Sequence, residues 1–412
     1  MSQIVRLGGR SSLLSKIQVL NVKRALSERF FSLDIQCYFR ESSGDKDLET
    51  PLWQMSESGV FTKDLQADLL ENKIDVVIHS YKDLDLRDRP YTKLIPILAR
   101  EDSRDVLLLK KSKWLNPPEE LTILTSSPRR EYHIRPFIQK YFPNPINNCK
   151  VEILSVRGNV QTRLKKYIKS DVSGIIIAKA ALDRILGYTG ETNDIPEIRE
   201  VSQFIREVLN VSIFMILPQS IFPSAPAQGA LCAEVRKDDI NTISIIEKLR
   251  NTETEETTNE ERQILSKYGG GCHQKIGVTV LKRAFGKVVF VSGLSIEGKE
   301  IYETEVYPKP NIKFLPSEVW PPDGKMAARQ RERLTYGLPP KVDILVSKAY
   351  AFPLDLSVSP TSQTLWSAGL TTWEELANRG FWVNGTCDGL GETEPISIRQ
   401  LLGRNENFVK LT

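Results

Sequence analysis

The sequence lacks the paired cysteines and long apolar runs that mark secreted disulfide-rich proteins and membrane proteins. Its 412 residues contain 5 cysteines with no CxxC spacing, so no disulfide framework, zinc motif or CxxC redox motif is predicted. No apolar stretch has the length of a membrane-spanning helix, and the first residues carry no signal-peptide pattern. These absences favour a reducing compartment, and we expect a cytoplasmic protein without membrane contact.

A large excess of one charge is also missing. The 56 Lys and Arg residues nearly balance 52 Asp and Glu residues, which leaves a net charge of +4. That excess is too small to predict nucleic-acid binding by itself. With 40% hydrophobic residues, the chain is long enough for about two to four domains with real cores. We expect a monomer with no nucleic-acid partner and no bound metal.

Short apolar strands alternate with helical patterns through about the first 250 residues, which is typical of an α/β fold. Strands are predicted at 4–7, 75–78, 121–124, 151–154 and 174–177. Further along, a helix at 259–267 precedes alternating strands at 277–281, 288–293 and 300–306. This second pattern predicts a small α+β module.

The last hundred residues have a different composition. Residues 308–340 are rich in proline and predict a linker, after which a strand resumes at 342–346. Thr371 and Glu374 have the spacing of a capping box, which predicts a helix beginning after Thr371 and ending at Gly380.

Three strand–loop–helix junctions carry arginine at the same relative place. They are Arg10-Ser11-Ser12, Ser127-Pro128-Arg129-Arg130 and the segment from Arg157-Gly158-Asn159 to Arg163. Ser127 is a natural helix N-cap, with proline at the first helical position. Helix N-termini favour anions, and guanidinium groups bind carboxylates or phosphates in a forked geometry. Because such loops gather at the carboxyl edge of α/β sheets, the pattern predicts a polyanion site.

Two further segments are candidates for chemistry. Asp83 follows the strand at 75–78, where it could cap a helix or face the cleft as a carboxylate. Nearby cations would keep such a carboxylate ionised, and it could stabilise a positive charge on a substrate. Cys272 follows three glycines, and a lone thiol on an open loop suits covalent attachment as well as an inert surface role.

Taken together, these segments resemble the porphobilinogen deaminase (hydroxymethylbilane synthase) family. The matching order also includes Gly59-Val60-Phe61-Thr62-Lys63, Arg100-Glu101-Asp102-Ser103-Arg104-Asp105 and Ala227-Gln228-Gly229-Ala230. The resemblance covers roughly residues 1–308. Residues 365–380 faintly resemble part of uroporphyrinogen-III synthase, the next enzyme of the same pathway.

The resemblance implies an α/β protein with two bilobal, anion-binding-type domains and a small α+β domain that bears the cofactor, here followed by a C-terminal extension. The implied units are domain 1 (1–101 and 229–248), domain 2 (102–228), domain 3 (249–308), a linker (309–340) and the extension (341–412). Domain 1 would carry the catalytic aspartate, and domain 2 would bind substrate carboxylates.

The family condenses four porphobilinogen molecules head-to-tail into hydroxymethylbilane and releases ammonia at each addition. It does so on a dipyrromethane cofactor held by a cysteine thioether, which would fall on Cys272. The implied catalytic residues are Asp83 and Lys82. The implied cofactor-binding residues are Arg10, Ser12, Lys82, Ser127, Arg129, Arg130, Arg157, Gly271 and Cys272. Those implied for porphobilinogen and the growing pyrrole chain are Arg10, Phe61, Arg157, Arg163, Arg184 and Gln228.

The sequence departs from the family at Gln54 and Ser58, where lysines are usual, and at Leu84-Asp85, where valine-proline is usual. Two alternatives stay open. One is a bifunctional fusion with uroporphyrinogen-III synthase activity, although the extension is less than half the length of such an enzyme. The other is a non-catalytic, bilobal polyanion-binding protein. A short extension of this kind favours a docking element for the next pathway enzyme.

A covalently bound cofactor would add a measurable mass to the polypeptide. The purified protein is expected to exceed its polypeptide mass by two condensed pyrroles under denaturing conditions. Cys272→Ser should lack this excess, because a hydroxyl is a far poorer nucleophile than a thiolate. Intact-mass spectrometry of both proteins is the measurement. Normal turnover by Cys272→Ser would contradict the assignment of the cysteine.

Overall fold

The computed structural model describes residues 3–41, 62–190, 194–269, 274–308, 342–353, 358–391 and 398–412. The predictions that lie outside the described residues are those on Gln54, Ser58, Phe61, Gly271, Cys272 and the linker 309–340. In the described ranges, no helix combines the length and the apolar character needed to cross a bilayer.

The strands and helices are numbered in chain order. The strands are β1 (Gln3–Arg10), β2 (Leu33–Arg40), β3 (Val76–Ser80), β4 (Thr92–Ile97), β5 (Asp105–Lys110), β6 (Glu120–Leu124), β7 (Lys150–Leu154), β8 (Gly174–Ala178), β9 (Ser212–Ile216), β10 (Leu231–Arg236), β11 (Gly277–Arg283), β12 (Gly286–Leu294), β13 (Glu300–Tyr307), β14 (Asp343–Val346), β15 (Leu365–Ser367), β16 (Gly385–Thr386) and β17 (Phe408–Leu411). The helices are α1 (Leu13–Ser27), α2 (Lys63–Leu70), α3 (Lys111–Leu115), α4 (Pro128–Tyr141), α5 (Val160–Lys169), α6 (Lys179–Leu186), α7 (Ile198–Asn210), α8 (Ile240–Ile246), α9 (Thr252–Lys267), α10 (Leu370–Asn378) and α11 (Arg399–Leu402).

Two five-stranded sheets form two lobes with the same topology. The first sheet has the order β2-β1-β3-β10-β4, and the second has the order β7-β6-β8-β5-β9. In each sheet, three parallel strands adjoin an inserted antiparallel strand, which is β10 in the first lobe and β5 in the second. Residues 98–104 and 217–230 therefore form two crossovers between the lobes. Strands β5 and β8 are almost entirely buried, which explains their continuous apolar sequences.

A third module packs helix α9 against the antiparallel sheet β11-β12-β13. Alternate residues of β11 and β12, such as Val278, Val280, Val289 and Val291, share a small core with Leu265 of α9. Each of the four sheets found in the described residues takes all its strands from one unit predicted from the sequence. The boundaries between those units stay predictions.

The C-terminal extension is a fourth, parallel sheet of order β16-β15-β14-β17 that shares its core with the second lobe. The fully buried Trp373 donates its indole N–H to the Tyr141 carbonyl of α4 at 2.9 Å. At the edge of the second sheet, the backbone N–H of Ile216 donates to the Asn384 carbonyl at 2.7 Å. The extension is thus built into the second lobe by apolar packing and by backbone hydrogen bonds.

The predicted strands are confirmed, with ends that differ by no more than three residues. The helix predicted at 259–267 begins earlier, at Thr252, because the Asn251 side chain caps it by accepting from the Thr254 N–H. The predicted capping box of Thr371 and Glu374 is wrong. Helix α10 begins at Leu370, and its N-cap residue is Gly369, which has no side chain to accept a capping hydrogen bond. Leu370 packs against the core shared by the extension and the second lobe.

Removing the indole of Trp373 should destabilise the second lobe together with the extension. Trp373→Ala is expected to cost about 3–5 kcal/mol, because it leaves a cavity in the shared core. Phe31→Ala removes an aromatic ring whose residue is 96% exposed, and should change stability by no more than about 0.5 kcal/mol. Thermal unfolding of both variants is the measurement. Equal melting temperatures would show that the extension does not stabilise the lobe.

Candidate active site

Loops at the carboxyl ends of strands from both lobes line a cleft with a cavity of about 480 Å³. Strands β1 and β3 lead into its first wall, and β6, β7 and β8 lead into the second. Seven residues predicted from the sequence share this lining: Arg10, Ser12, Lys82, Asp83, Arg130, Arg157 and Arg163. The lining contains five Lys or Arg side chains and two carboxylates, those of Glu41 and Asp83. The cleft is therefore suited to a ligand that carries several negative charges.

Asp83 is presented by a 3₁₀ turn that begins at Tyr81, directly after β3. The buried Tyr81 donates its hydroxyl to Asn259 Oδ1 at 3.0 Å. The Arg262 guanidinium lies 4.6 Å from the centre of the Tyr81 ring and donates to the Leu84 carbonyl at 2.8 Å. Helix α9 of the third module thus holds this turn from behind, while Asp83 faces the cleft.

Asp83 and Lys82 are held differently. Asp83 is exposed, and within the described ranges its carboxylate makes no hydrogen bond, so it can accept one from a ligand. Lys82 is partly buried and donates Nζ to Gln228 Oε1 at 3.2 Å. Burial lowers the pKa of Lys82, and the charge of the neighbouring Asp83 opposes that shift. The pair places a fixed carboxylate beside an amine that is less strongly basic than usual.

The fully buried Asp105, at the start of β5, holds the arginine pair of α4. Its Oδ2 accepts from Arg129 Nη2 at 2.7 Å, and its Oδ1 accepts from Arg130 Nη2 at 2.7 Å. Gln228 Nε2 donates to the same Oδ1 at 2.9 Å. Burial alone would raise the pKa of Asp105, but the two guanidinium groups hold it well below its usual range. Asp105 therefore stays ionised and fixes the direction of both arginines.

Three arginines crowd together on the second-lobe side of the cleft. Burial, together with the charges of Arg130 and Arg157, lowers the pKa of Arg163 to about 10. Arg130 Nη1 donates to the Ile176 carbonyl at 3.1 Å, while its buried Nε has no partner in the described part of the chain. A carboxylate bound here would relieve the repulsion between like charges and could accept the N–H groups that remain.

The other predicted residues in the described ranges lie behind the cleft lining. Ser127 is confirmed as the N-cap of α4 and accepts from the Arg130 N–H at 3.4 Å. Arg129 donates Nη1 to the Pro223 carbonyl at 2.7 Å, and it is buried. Arg184 is also buried and donates Nη2 to the Gly229 carbonyl at 2.7 Å. Arg184, on helix α6, thus contacts the crossover 217–230, in which Gln228 lies.

Two residues that support the site were not assigned a role from the sequence. Asp105 opens an otherwise apolar strand, and a carboxylate in a strand that becomes fully buried signals a bound cation. Arg262 sits on α9, which shows no such signal, because its partners are the carbonyl groups of a distant turn. Only the first of these could have been found from the sequence.

Replacing Asp105 should destabilise the fold at neutral pH. Asp105→Asn leaves Arg129 and Arg130 buried without their counter-charge, at a cost of about 3–5 kcal/mol. Because the pKa of Asp105 is depressed in the folded state, its contribution is present above the ordinary carboxyl pKa and is lost as pH falls. The difference from wild type should therefore narrow below about pH 4.

Thermal unfolding at several pH values measures this effect. Asp171→Asn is the matched control, since the Asp171 side chain is 94% exposed and pairs only with Lys113 in the described residues. A melting temperature for Asp105→Asn equal to that of the control would contradict the role given to Asp105.

The comparisons with known proteins identify the family of the chain. A family model described as "Porphobilinogen deaminase, dipyromethane cofactor binding domain" matches residues 5–244. A porphobilinogen deaminase of Chloroherpeton thalassium is 33% identical over 281 residues, which cover 67% of this chain and 78% of the relative. One from Syntrophomonas wolfei is 29% identical over 332 residues, 80% of this chain and 94% of the relative. Among solved structures, full-length BenM matches with a TM-score of 0.30 and 16% identity, covering 65% of this chain and 69% of BenM. That TM-score is too low for the similarity to carry an argument. The chain belongs to the porphobilinogen deaminase family.

Proposed function

We propose that this protein is a hydroxymethylbilane synthase, which condenses four porphobilinogen molecules head-to-tail and releases one ammonia at each addition. One observation carries the proposal: the cleft brings Asp83 together with five cationic side chains. Each pyrrole unit carries an acetate and a propionate, so substrate and growing chain are polyanions. The family membership favours this activity over a non-catalytic polyanion-binding protein.

The residues of the cleft fit a dipyrromethane cofactor. Its carboxylates match the crowded arginines, and the buried Arg130 Nε, without a partner in the described residues, offers one N–H to such a group. We propose that its carboxylates are held by Arg10, Ser12, Lys82, Arg130 and Arg157, and that Cys272 attaches it. When bound, the cofactor supplies the pyrrole carbon to which the first porphobilinogen is joined. Ser127, Arg129 and Gly271 complete the proposed set, the first two by shaping helix α4.

Asp83 is the proposed catalytic carboxylate. When ammonia leaves the protonated aminomethyl group of porphobilinogen, the C–N bond breaks. The methylene carbon that remains on the pyrrole ring becomes part of an electron-poor cation. A fixed carboxylate in a cleft stabilises that positive charge and can accept the pyrrole N–H. The exposed Asp83 carboxylate, which makes no hydrogen bond within the described ranges, has the free acceptors for this role. Lys82, whose pKa burial lowers, can hold or release a proton beside it.

Substrate carboxylates are assigned to the rim of the same cleft. Arg10 lies on the first-lobe side, and Arg157 and Arg163 lie on the second. Guanidinium groups bind such carboxylates through two parallel hydrogen bonds. Arg184 and Gln228 are proposed to act from the crossover, and Phe61 is retained as a substrate contact from its sequence position alone.

We also propose a cytoplasmic, monomeric enzyme without a nucleic-acid partner. The four cysteines within the described residues are free thiols, as a reducing compartment favours. The extension lies beyond the range matched by the family model, and we assign to it any contact with the next pathway enzyme.

The role of Asp83 predicts a separation of cofactor retention from turnover. Asp83→Asn should keep the mass excess of the cofactor and lose roughly 100-fold or more in turnover, because it lacks the negative charge that the cationic step needs. Intact mass and hydroxymethylbilane formation from porphobilinogen are the two measurements. The control Asp88→Asn changes an exposed carboxylate outside the cleft lining and should keep wild-type turnover. Unchanged kinetics in Asp83→Asn would refute the catalytic role.

A further inference from the structure

The extension reaches the crossover between the lobes through Asp388, which lies in the loop after β16. Its Oδ1 accepts from Ser220 Oγ at 2.5 Å, and its Oδ2 accepts from the Gln219 backbone N–H at 3.0 Å. Burial raises the pKa of Asp388, and the hydrogen bonds from Ser220 and Gln219 oppose that shift. A carboxylate from the extension thus fixes the backbone at the start of crossover 217–230.

The same crossover segment is tied to the first one. Gln219 Nε2 donates to Ser103 Oγ at 2.6 Å, and Gln228 Nε2 donates to the Ser103 carbonyl at 2.7 Å. Ser103 therefore binds both Gln219, whose backbone Asp388 holds, and Gln228, which contacts Lys82 of the cleft lining. All three side chains are buried, so solvent cannot replace these bonds cheaply.

Gln228 is the end of this chain of contacts, since its Oε1 accepts from Lys82 Nζ at 3.2 Å. The charged groups that act on Lys82 are Asp83, Arg130, Asp105 and Arg129. Burial lowers the pKa of Lys82, the two carboxylates oppose that shift, and the two guanidinium groups add to it. A hydrogen bond to the Gln228 carbonyl oxygen also favours the ammonium form.

We propose that Asp388 of the C-terminal extension is a positioning residue for the cleft. It acts through Gln219 and Ser103 to hold Gln228 where its carbonyl oxygen accepts from Lys82. The extension then helps to position Lys82 in the cleft, in addition to stabilising the second lobe. Any effect of Asp388 on turnover rests on the proposed function, whereas its effect on the pKa of Lys82 does not.

The test is the pKa of Lys82 in the full-length protein. It is obtained from the pH dependence of trace acetylation by acetic anhydride, with the modified peptide quantified by mass spectrometry. In Asp388→Asn the midpoint should fall by about 0.5 on the pH scale, because a weakened acceptor stabilises the ammonium form less. Asparagine tolerates the positive φ of 56° at this position, so the backbone is not a confounding factor.

Two further variants separate positioning from general destabilisation. Glu375→Gln removes an exposed carboxylate of the same extension and should leave the midpoint unchanged. Gln228→Leu should lower the midpoint by itself, and Asp388→Asn should then add no further shift. If Asp388→Asn only destabilised the protein, it would lower the melting temperature in both the wild-type and the Gln228→Leu backgrounds. General destabilisation would not explain why its effect on the Lys82 midpoint disappears in the Gln228→Leu background.

The proposal is overturned if Asp388→Asn leaves the midpoint in place, or if its shift is the same in the Gln228→Leu background. Should Asp388→Asn not fold, Ser220→Ala removes one of its contacts and should shift the midpoint in the same direction by a smaller amount. Absence of hydroxymethylbilane formation by the wild type would refute the proposed function alone. The titration of Lys82 would still decide the role of Asp388.

Discussion

The Asp105 carboxylate has no contact with solvent, and it stays ionised because Arg129, Arg130 and Gln228 all donate to it. This cluster joins the start of a central strand, the first turn of α4 and the crossover between the lobes. It compensates one of the two guanidinium charges, so the pair retains a net positive charge that Arg130 presents to the cleft. The electrostatics of the site therefore depend on one buried anion that lies outside the cleft lining.

Five cationic side chains and two carboxylates line the cleft. Burial lowers the pKa of Arg163, and the positive charges of Arg130 and Arg157 lower it further. In the proposed function, a polyanionic pyrrole chain would bring negative charge to these cations, so its binding would relieve repulsion as well as form hydrogen bonds. The arginines would then hold carboxylates of the ligand and leave the Asp83 oxygens available to stabilise a developing cation.

The extension changes how the family fold is held together in this chain. Trp373 lies in the same core as Phe137 and Tyr141 of α4, the helix whose first turn carries the arginine pair. Asp388 reaches the crossover that leads to the cleft. A segment outside the family match thus contacts both the helix that carries the arginine pair and the crossover between the lobes.

Local patterns determined much of this protein by themselves, because strand alternation, helix caps and arginine-bearing junctions are encoded within a few residues. The buried strands and the Ser127 cap were predicted in this way, and so was the position of Arg10, Asp83 and Arg130 at junctions that follow strands; that two different sheets bring them to one cleft was not. Only the tertiary structure decided which arginines line the cleft and which lie behind it. It also decided where α10 begins and which residue Asp388 contacts. These outcomes depend on packing and charge pairing between segments far apart in the chain, for which a single sequence carries no periodic signal.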